Sequence, residues 1–304
     1  MSIFAAAGGA SLLAVDDDFE LVGNRLAIGG RLLDIRTPTT IYTDIYLDPA
    51  VAEAIRFVAF GDNHGDMADE NATEALCEFI KDYKPTVRVH LGDCFDFRSL
   101  RRGAGQDAEG AESLIADIEA GEAFLERTKP TVFLMGNHEH RANALQHTSG
   151  SALVRDYCAD LEARIRTSAK SCGAKTILPY HAERGVYRLG PVAFVHGYAH
   201  GLNATAEQGK HYADRGGALI HGHTHTLSQV NLTKAEGGAA FSAGCLCQKD
   251  AMAYASHRLA TSRWGSGFAA GWVDGTDWKV WLVHRVGSRW VWTTDLRVFT
   301  PKAR

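Results

Sequence analysis

Residues 55–65 have the sequence IRFVAFGDNHG, in which an apolar stretch ends directly in a cluster of polar side chains. The apolar residues at 55–60 predict a β-strand, and the glycine that follows predicts its end. The arrangement recurs at 87–93 and at 131–137, where each strand is followed by glycine and then aspartate or asparagine. Functional side chains of α/β proteins lie at such strand ends, so the pattern predicts a sheet with polar groups along one edge.

Helical apolar spacing alternates with these strands. It predicts helices at residues 71–83, 110–128, 151–170 and 203–214. Further strands are predicted within 186–195 and at 219–220, and a hairpin is predicted from 278–286 and 289–293. Short strands broken by glycine dipeptides are predicted within 19–36, in a small β-rich leader. The chain is thus divided into a leader at 1–54, a catalytic domain at 55–250 and a β extension at 251–304.

The composition is that of an ordinary globular protein. The 304 residues are 45% hydrophobic and 22% charged, which excludes a disordered, collagen-like or coiled-coil chain. The 32 basic and 36 acidic residues give a net charge of -4, which argues against a protein that coats nucleic acid.

The first fifteen residues are mostly apolar, but no lysine or arginine precedes them and three aspartates follow at 16–18. A secretory signal is therefore not expected, no apolar run is long enough to span a bilayer, and a cytoplasmic location is predicted. The six cysteines show no disulfide-framework spacing. Cys245 and Cys247 form a C-x-C, for which burial on one sheet face is favoured over metal binding.

Five short segments at strand ends carry the candidate chemistry. They are Gly61–Gly65, Gly92–Asp96, Gly136–Glu139, Val195–Gly197 and Gly222–His225. Imidazole and carboxylate groups without an obligatory thiolate suit Mn, Fe, Zn and similar divalent ions. Each residue alone has a structural interpretation, since Asp62 or Asp93 could cap a helix and His196 could be a hydrogen-bonded core histidine. Five such segments in one order at strand ends have no comparable structural explanation.

The set D-x-H, G-D-x-x-D, G-N-H-E, a lone histidine after a strand and G-H-x-H resembles the calcineurin-like metallophosphoesterases. The resemblance covers about residues 55–245 and implies a four-layer α/β fold, a β-sandwich of two mixed sheets flanked by helices. To this fold the sequence adds the β-rich leader and a tryptophan-rich C-terminal hairpin. The resemblance also implies two divalent metal ions. Mn²⁺ is expected, with Fe, Zn, Ni, Co or Mg as alternatives.

By position, the resemblance implies that Asp62, His64 and His225 hold one metal. Asn137, His196 and His223 would hold the other, and Asp93 would bridge the two. A metal-bound water would then attack phosphorus in line. His138 would contact the phosphate and protonate the leaving oxygen. Asp96 would orient His138 or a ligand histidine, although a helix cap is an equal alternative.

Other charged side chains near these segments have less definite roles. Arg98, Arg101 and Arg102 could clamp an anionic substrate, because a guanidinium fork suits phosphate oxygens. A solvated surface loop is the commoner explanation for such a cluster. His221 shares the strand face of the G-H-x-H histidines and is interpreted as a core residue or a group behind the ligands.

The expected activity is hydrolysis of a phosphoric ester, with a phosphodiesterase or nuclease-like enzyme preferred. The segment from His90 to Asp96 is similar to one in DNA-repair exonucleases of the family, so nucleic acid or a nucleotide is a candidate substrate. A phosphomonoesterase is the alternative within the family, and a catalytically silent metal-binding scaffold is the alternative of another class. No membrane partner is expected, and no oligomeric state is indicated.

All six tryptophans follow residue 263, beyond the last candidate ligand. Together with the basic residues of the tail they could stack the bases of a single strand. A small β core in which Trp278 and Trp281 pack beneath Trp290 and Trp292 is favoured, because aromatic residues in strands usually serve packing.

Overall fold

The structure is a computed structural model. It describes residues 54–101, 104, 113–249 and 259–292, and the backbone of strands at 19–22, 25–28, 31–34 and 298–299. The chain divides into two compact units, and the first of them contains residues 1–49. In that unit β1 (Phe19–Val22), β2 (Arg25–Ile28) and β3 (Arg31–Asp34) form an antiparallel sheet. The strands predicted in the leader are thus confirmed.

The second unit contains two mixed sheets and five helices among its described residues. Its strands are β4 (Ile55–Phe60), β5 (Val87–His90), β6 (Val132–Leu134), β7 (Thr176–Leu178), β8 (Tyr187–Leu189), β9 (Val192–Val195), β10 (Ala218–His221), β11 (Leu227–Asn231), β12 (Ala239–Ala243), β13 (Gly267–Asp274), β14 (Asp277–Val286), β15 (Arg289–Val291) and β16 (Val298–Phe299). Its helices are α1 (Glu70–Tyr83), α2 (Leu114–Thr128), α3 (Glu139–Thr148), α4 (Ala152–Ser171) and α5 (Ala204–Tyr212).

The larger sheet has the order β16-β15-β14-β13-β4-β5-β6-β7, with β4 to β7 parallel and β13 antiparallel to β4. The smaller sheet has the order β11-β12-β10-β9-β8, with β9, β10 and β12 parallel. Parallel neighbours end at the same edge of a sheet, so the polar residues that follow β4, β5 and β6 are brought side by side.

Alternation of side chains along β4 produces the layers. Phe57 and Ala59 face the core between the two sheets, where the ring of Phe57 contacts that of Phe194 edge-on with centroids 5.2 Å apart. Val58 and Phe60 point to the opposite face, where α1 to α4 pack. Helix α5 covers the outer face of the smaller sheet through Tyr212. The unit is therefore a β-sandwich of two mixed sheets flanked by helices, as predicted.

Helix bounds agree with the sequence patterns within a few residues, except at two places. Helix α2 begins after Ser113, whose hydroxyl accepts the N–H of Ala116, whereas the pattern began at residue 110. Helix α3 was not predicted. It buries only Glu139 and Ala142, so it lacks the apolar stripe by which a helix is found in a sequence.

The tryptophan-rich tail belongs to the larger sheet, because β13 pairs with β4 and β14 pairs with β13. The predicted hairpin is confirmed as β14 and β15. Trp290 and Trp292 are 0% and 4% exposed and pack in the core beneath the helices. Trp281 packs against that core, but Trp278 lies on the opposite face and contacts the core between the sheets. Trp278 and Trp281 are three residues apart on one strand, which places them on opposite faces.

Replacement of Trp290 by alanine is expected to lower the free energy of unfolding by about 3–5 kcal/mol, the usual cost of deleting a buried aromatic ring. The indole stacks on Phe268 with ring centroids 5.9 Å apart. Chemical denaturation of the wild type and of the variant, each with and without chelator, measures the difference in the free energy of unfolding. Trp290→Phe is the matched control and should retain most of the stability, because a ring still fills the site. A loss below about 1 kcal/mol for the alanine variant would contradict the packing role of this side chain.

No helix among the described residues has the length and apolar character needed to cross a membrane.

Candidate metal centre

The predicted ligands converge at the carboxyl ends of the central strands. Asp62 and His64 follow β4, Asp93 follows β5 and Asn137 follows β6. His196 follows β9 in the facing sheet, and His223 and His225 follow β10. Two sheets therefore contribute side chains to a single site.

The first group of ligands lies around Asp62. Nε2 of His225 is 3.2 Å from Oδ1 of Asp62 and 3.1 Å from Nε2 of His64. Nε2 of His64 is also 3.9 Å from Oδ2 of Asp93. One atom from each of these four residues lies within 4.8 Å of the others, and all four side chains are buried. This spacing suits a single divalent ion.

The second group shares Asp93 with the first. Nε2 of His196 is 3.4 Å from Oδ2 of Asp93 and 2.9 Å from Oδ1 of Asn137. Asp93, His196 and His223 form a further set with ligand atoms within 4.8 Å of one another. Asp93 therefore has the position that a bridging carboxylate requires.

Backbone conformation at the centre is unusual. Five predicted ligands have left-handed φ values between 51° and 66°, namely Asp62, His64, Asp93, His223 and His225. Non-glycine residues rarely adopt this region, and such strain concentrates at functional sites. Glycines allow the close approach, since a Cβ at Gly136 would overlap the Asp93 carboxylate and one at Gly222 would overlap that of Asp62.

Two carboxylates outside the predicted set hold the loop that carries Asp93. Glu139 accepts the backbone N–H groups of Asp93 at 3.0 Å, Phe95 at 3.0 Å and Gly136 at 2.7 Å. Asp117 of α2 accepts those of Asp96 at 2.9 Å and Phe97 at 2.7 Å. Burial raises the pKa of Glu139 to about 7 and that of Asp117 to about 6. The sequence showed the glutamate of G-N-H-E but not its role, and it gave no sign of Asp117.

Opposite charges at the centre shift each other's titration. Burial acts to lower the pKa of His196 and of His225, but the charges of Asp93 and Asp62 outweigh it and raise each pKa to about 9. Burial likewise acts to raise the pKa of Asp93, but the imidazoles of His138 and His196 hold it well below its usual value. The buried carboxylates thus demand neutralising positive charge.

The donor set fits two divalent ions. Imidazole nitrogens and carboxylate oxygens suit first-row divalent metals. The ligand atoms of the centre face one another at 3.1 Å between His64 and His225, 3.2 Å between His225 and Asp62 and 3.4 Å between His196 and Asp93. Atoms that share one ion at about 2.0–2.2 Å have such separations, so bound cations would complete this arrangement.

His138 lies beside the first group and is held by Asp96. Its Nδ1 is 2.9 Å from Oδ1 of Asp96 and 2.7 Å from the Asp96 carbonyl oxygen. Oδ1 of Asp96 also lies 2.8 Å from Nδ1 of His64. The backbone N–H of His138 donates to Oδ1 of Asp93 at 2.9 Å. Asp96 is thus placed to orient both imidazoles, while Phe97 occupies the N-cap position of the short 3-10 helix that follows, without a side-chain cap.

The three arginines proposed to clamp substrate differ in what the structure shows. Arg98 is 5% exposed, and its two terminal nitrogens each donate to the Asp66 carboxylate at 2.7 Å. The Arg98 side chain is therefore buried and paired with Asp66. It is neither part of a solvated surface loop nor directed at a substrate. Arg101 ends the short 3-10 helix of residues 98–100, and Arg102 lies outside the described residues.

Arg141 of α3 is a site residue that the sequence did not indicate. Its Nη2 lies 3.1 Å from Nε2 of His138, and its Nη1 donates to the Asp96 carbonyl at 2.8 Å. Its position three residues after His138 on a helix is the signal that could have found it. His200 lies near the motifs in the sequence, which gives it no role, and its Nδ1 is 3.1 Å from Nε2 of His223 at the exposed side of the centre.

His221 faces away from the ligands, as its interpretation as a core residue requires. It is fully buried, and its Nε2 lies 3.1 Å from the Thr205 hydroxyl of α5.

A four-layer sandwich with paired carboxylate and imidazole groups at its strand ends defines a metal-dependent phosphoesterase. The family model described as calcineurin-like phosphoesterase matches residues 55–227, more than half of the chain. The chain therefore belongs to this family, as the sequence motifs predict.

Two phage proteins are similar over most of the chain. The Gene 54 protein of Mycobacterium phage L5 is 27% identical over 261 residues, covering 80% of this chain and 98% of its own length. The Gene 54 protein of Mycobacterium phage D29 is 29% identical over 251 residues, covering 77% and 95%.

Among solved structures, the phosphoesterase Yfce from E. coli matches with 14% identity and a TM-score of 0.32, over 75% of this chain and 98% of its own. Vacuolar Protein Sorting 29 from Cryptosporidium parvum matches with 12% identity and a TM-score of 0.35, over 82% and 99%.

Proposed function

We propose that this enzyme hydrolyses phosphodiesters, as a phosphodiesterase or nuclease-like enzyme, with two divalent ions for which Mn²⁺ is the first candidate. One ion would be held by Asp62, His64 and His225, and the other by Asn137, His196 and His223. Asp93 would bind both ions. When bound, the ions would supply Lewis-acid activation of water and stabilise charge on the phosphoryl group. Binding of the phosphate and protonation of the leaving oxygen would be carried out by side chains of the protein.

His138 is proposed as the acid that protonates the leaving oxygen. Asp96 occupies its Nδ1, so Nε2 would hold the transferred proton once the Arg141 guanidinium, which only donates and lies 3.1 Å from that atom, turns to the phosphate. That atom lies 3.7 Å from Oδ2 of Asp93, at the edge of the proposed metal centre. A proton held there is within reach of an ester oxygen bound at the centre.

Arg141 supports the preference for a diester, and it is the observation that carries the proposal. One guanidinium lies beside His138, where the phosphate would bind, while Arg98 is committed to Asp66. A diester phosphate carries one negative charge and a monoester nearly two at neutral pH. Among the described residues one guanidinium lies beside the proposed acid, and a single positive charge matches the diester more closely.

The proposal predicts that bis-p-nitrophenyl phosphate is hydrolysed at least about tenfold faster than p-nitrophenyl phosphate, measured as kcat/KM with added Mn²⁺, a preference of about 1.4 kcal/mol. Chelation should abolish both activities, and returning the metal should restore them. The reverse preference would indicate the phosphomonoesterase. Absence of both activities with metal bound would contradict the proposal. Assays on single- and double-stranded DNA and RNA then test for a nuclease.

Replacing Arg141 with alanine should lower kcat/KM for the diester by roughly 10–100-fold, mainly through KM, since a hydrogen bond to a charged group contributes about 1.5–3 kcal/mol. Steady-state kinetics measure the change. Arg164→Ala is the matched control, because Arg164 pairs with Glu122 on the surface. An Arg141→Ala enzyme with unaltered KM and kcat would show that this guanidinium contributes only to structure.

A cytoplasmic location is part of the proposal. The six cysteines are free thiols, which supports a reducing compartment.

A further inference from the structure

Two cysteines follow β12 beside the first group of ligands. Cys245 and Cys247 are 0% and 1% exposed. The sulfur of Cys247 lies within 4.8 Å of a ring nitrogen of His64 and of a ring nitrogen of His225. The C-x-C is buried, as the sequence suggested, but its second thiol adjoins two of the proposed metal ligands.

Backbone hydrogen bonds hold Cys247 against the loop that carries the first ligands. The N–H of Leu246 donates to the Asp62 carbonyl at 3.2 Å, and the N–H of Gln248 donates to the Met67 carbonyl at 2.8 Å. Cys247 lies between these two bonds and forms an isolated antiparallel bridge with Ala68. The position of the thiol relative to Asp62 and His64 is therefore set by main-chain contacts.

His225 provides an independent observation. Its Nε2 faces Asp62 and His64, while its buried Nδ1 has no hydrogen-bond partner within the described ranges. The residue is 4% exposed, so water has little access to that nitrogen. Nε2 is therefore the nitrogen that an ion shared with Asp62 and His64 would take, and its distances of 3.2 and 3.1 Å from their atoms are those of atoms that share one ion at about 2.0–2.2 Å.

We propose that the Cys247 thiolate is an additional ligand of the ion held by Asp62, His64 and His225. The inference rests on the proposed metal centre, and it is independent of the substrate. Ligation exchanges the S–H bond for a metal–sulfur bond and releases the proton to solvent. Thiolate favours Zn²⁺, whereas carboxylate suits Mn²⁺ and Mg²⁺. Cys247 would thus favour Zn²⁺ over Mn²⁺ at the first position, replacing Mn²⁺ as the first candidate there, while the second position remains suited to Mn²⁺.

X-ray absorption of the zinc-loaded full chain tests the inference without a variant. A sulfur neighbour at about 2.3 Å from zinc is expected, together with nitrogen and oxygen neighbours at about 2.0–2.2 Å. The cobalt-substituted chain should also show thiolate-to-cobalt absorption in the near ultraviolet. Scattering from nitrogen and oxygen alone would overturn the inference.

Cysteine variants identify the residue that supplies the sulfur neighbour of the metal. Cys247→Ser and Cys247→Ala should lose the sulfur signal and reduce the preference for Zn²⁺ over Mn²⁺ by at least about tenfold in competition binding. Cys158→Ala, at a buried thiol of α4, should retain both properties. Loss of the signal in Cys245→Ala with retention in Cys247→Ala would contradict the assignment. A sulfur signal in a chain that hydrolyses no phosphate ester would overturn the proposed function and leave this inference standing.

Discussion

Replacing His138 with alanine is expected to lower kcat by about 10²–10⁴-fold while both metal ions stay bound, because removal of a general acid has costs of this size. Metal binding should persist because the contact that His138 makes with Asp93 through its backbone N–H does not depend on the side chain. Steady-state kinetics measure kcat, and elemental analysis of the purified enzyme measures metal content.

The expected pattern separates an acid from a ligand. Loss of an ion along with activity would place His138 in the metal shell, and unchanged turnover would exclude the acid role. A substrate whose leaving group needs no protonation should be hydrolysed by the His138→Ala enzyme with a smaller loss of rate, because such a leaving group departs without an acid. His211→Ala is the matched control, because His211 is an exposed histidine of α5 and should leave both readouts unaltered.

Replacing Asp93 with asparagine is expected to lower turnover by roughly 10³-fold or more and to reduce the number of ions retained per chain. Asp93 contributes to both ligand groups, and its charge is the one shared by His64, His138 and His196. Loss of several kcal/mol of charge stabilisation corresponds to this change in rate. Metal titration by calorimetry and kcat under saturating Mn²⁺ measure the two effects.

Asparagine has nearly the shape of aspartate and can still accept the N–H of His138, so the fold should remain intact. Circular dichroism of the metal-free chain checks this point. Asp160→Asn is the control, because Asp160 is an exposed residue of α4. Two ions bound with wild-type affinity to the Asp93→Asn chain would contradict the bridging role.

The sequence located the candidate ligands because their signal is local. An apolar strand, a glycine and a polar residue lie within a few positions of one another, and the carboxyl ends of parallel strands meet at one edge. Helix bounds were predicted for the same reason where an apolar stripe was present. Helix α3 lacks such a stripe, and the packing of its Ala142 and Leu145 against the core is visible only in the structure.

Contacts between distant segments could not be predicted from the sequence patterns. The tail was separable from the catalytic domain in the sequence, yet β13 pairs with β4, more than 200 positions earlier. A charged residue shows its type but not its partner, so Arg98 suggested a substrate clamp while the structure pairs it with Asp66. Arg141 was unremarked because its closeness to His138 depends on the start of a helix that the sequence did not predict.

By itself, the sequence indicated the residues that could hold metals, because the order of strand ends is a property of local pattern, and its resemblance to the calcineurin-like metallophosphoesterases implied the reaction class. Only the tertiary structure decided which groups surround those residues. Asp117 and Glu139 hold the Asp93 loop, Arg141 approaches His138, and the Cys247 thiol reaches His64 and His225. Each of these contacts joins residues through packing of separate elements, and the free energy that fixes them arises only when the two sheets and their helices assemble.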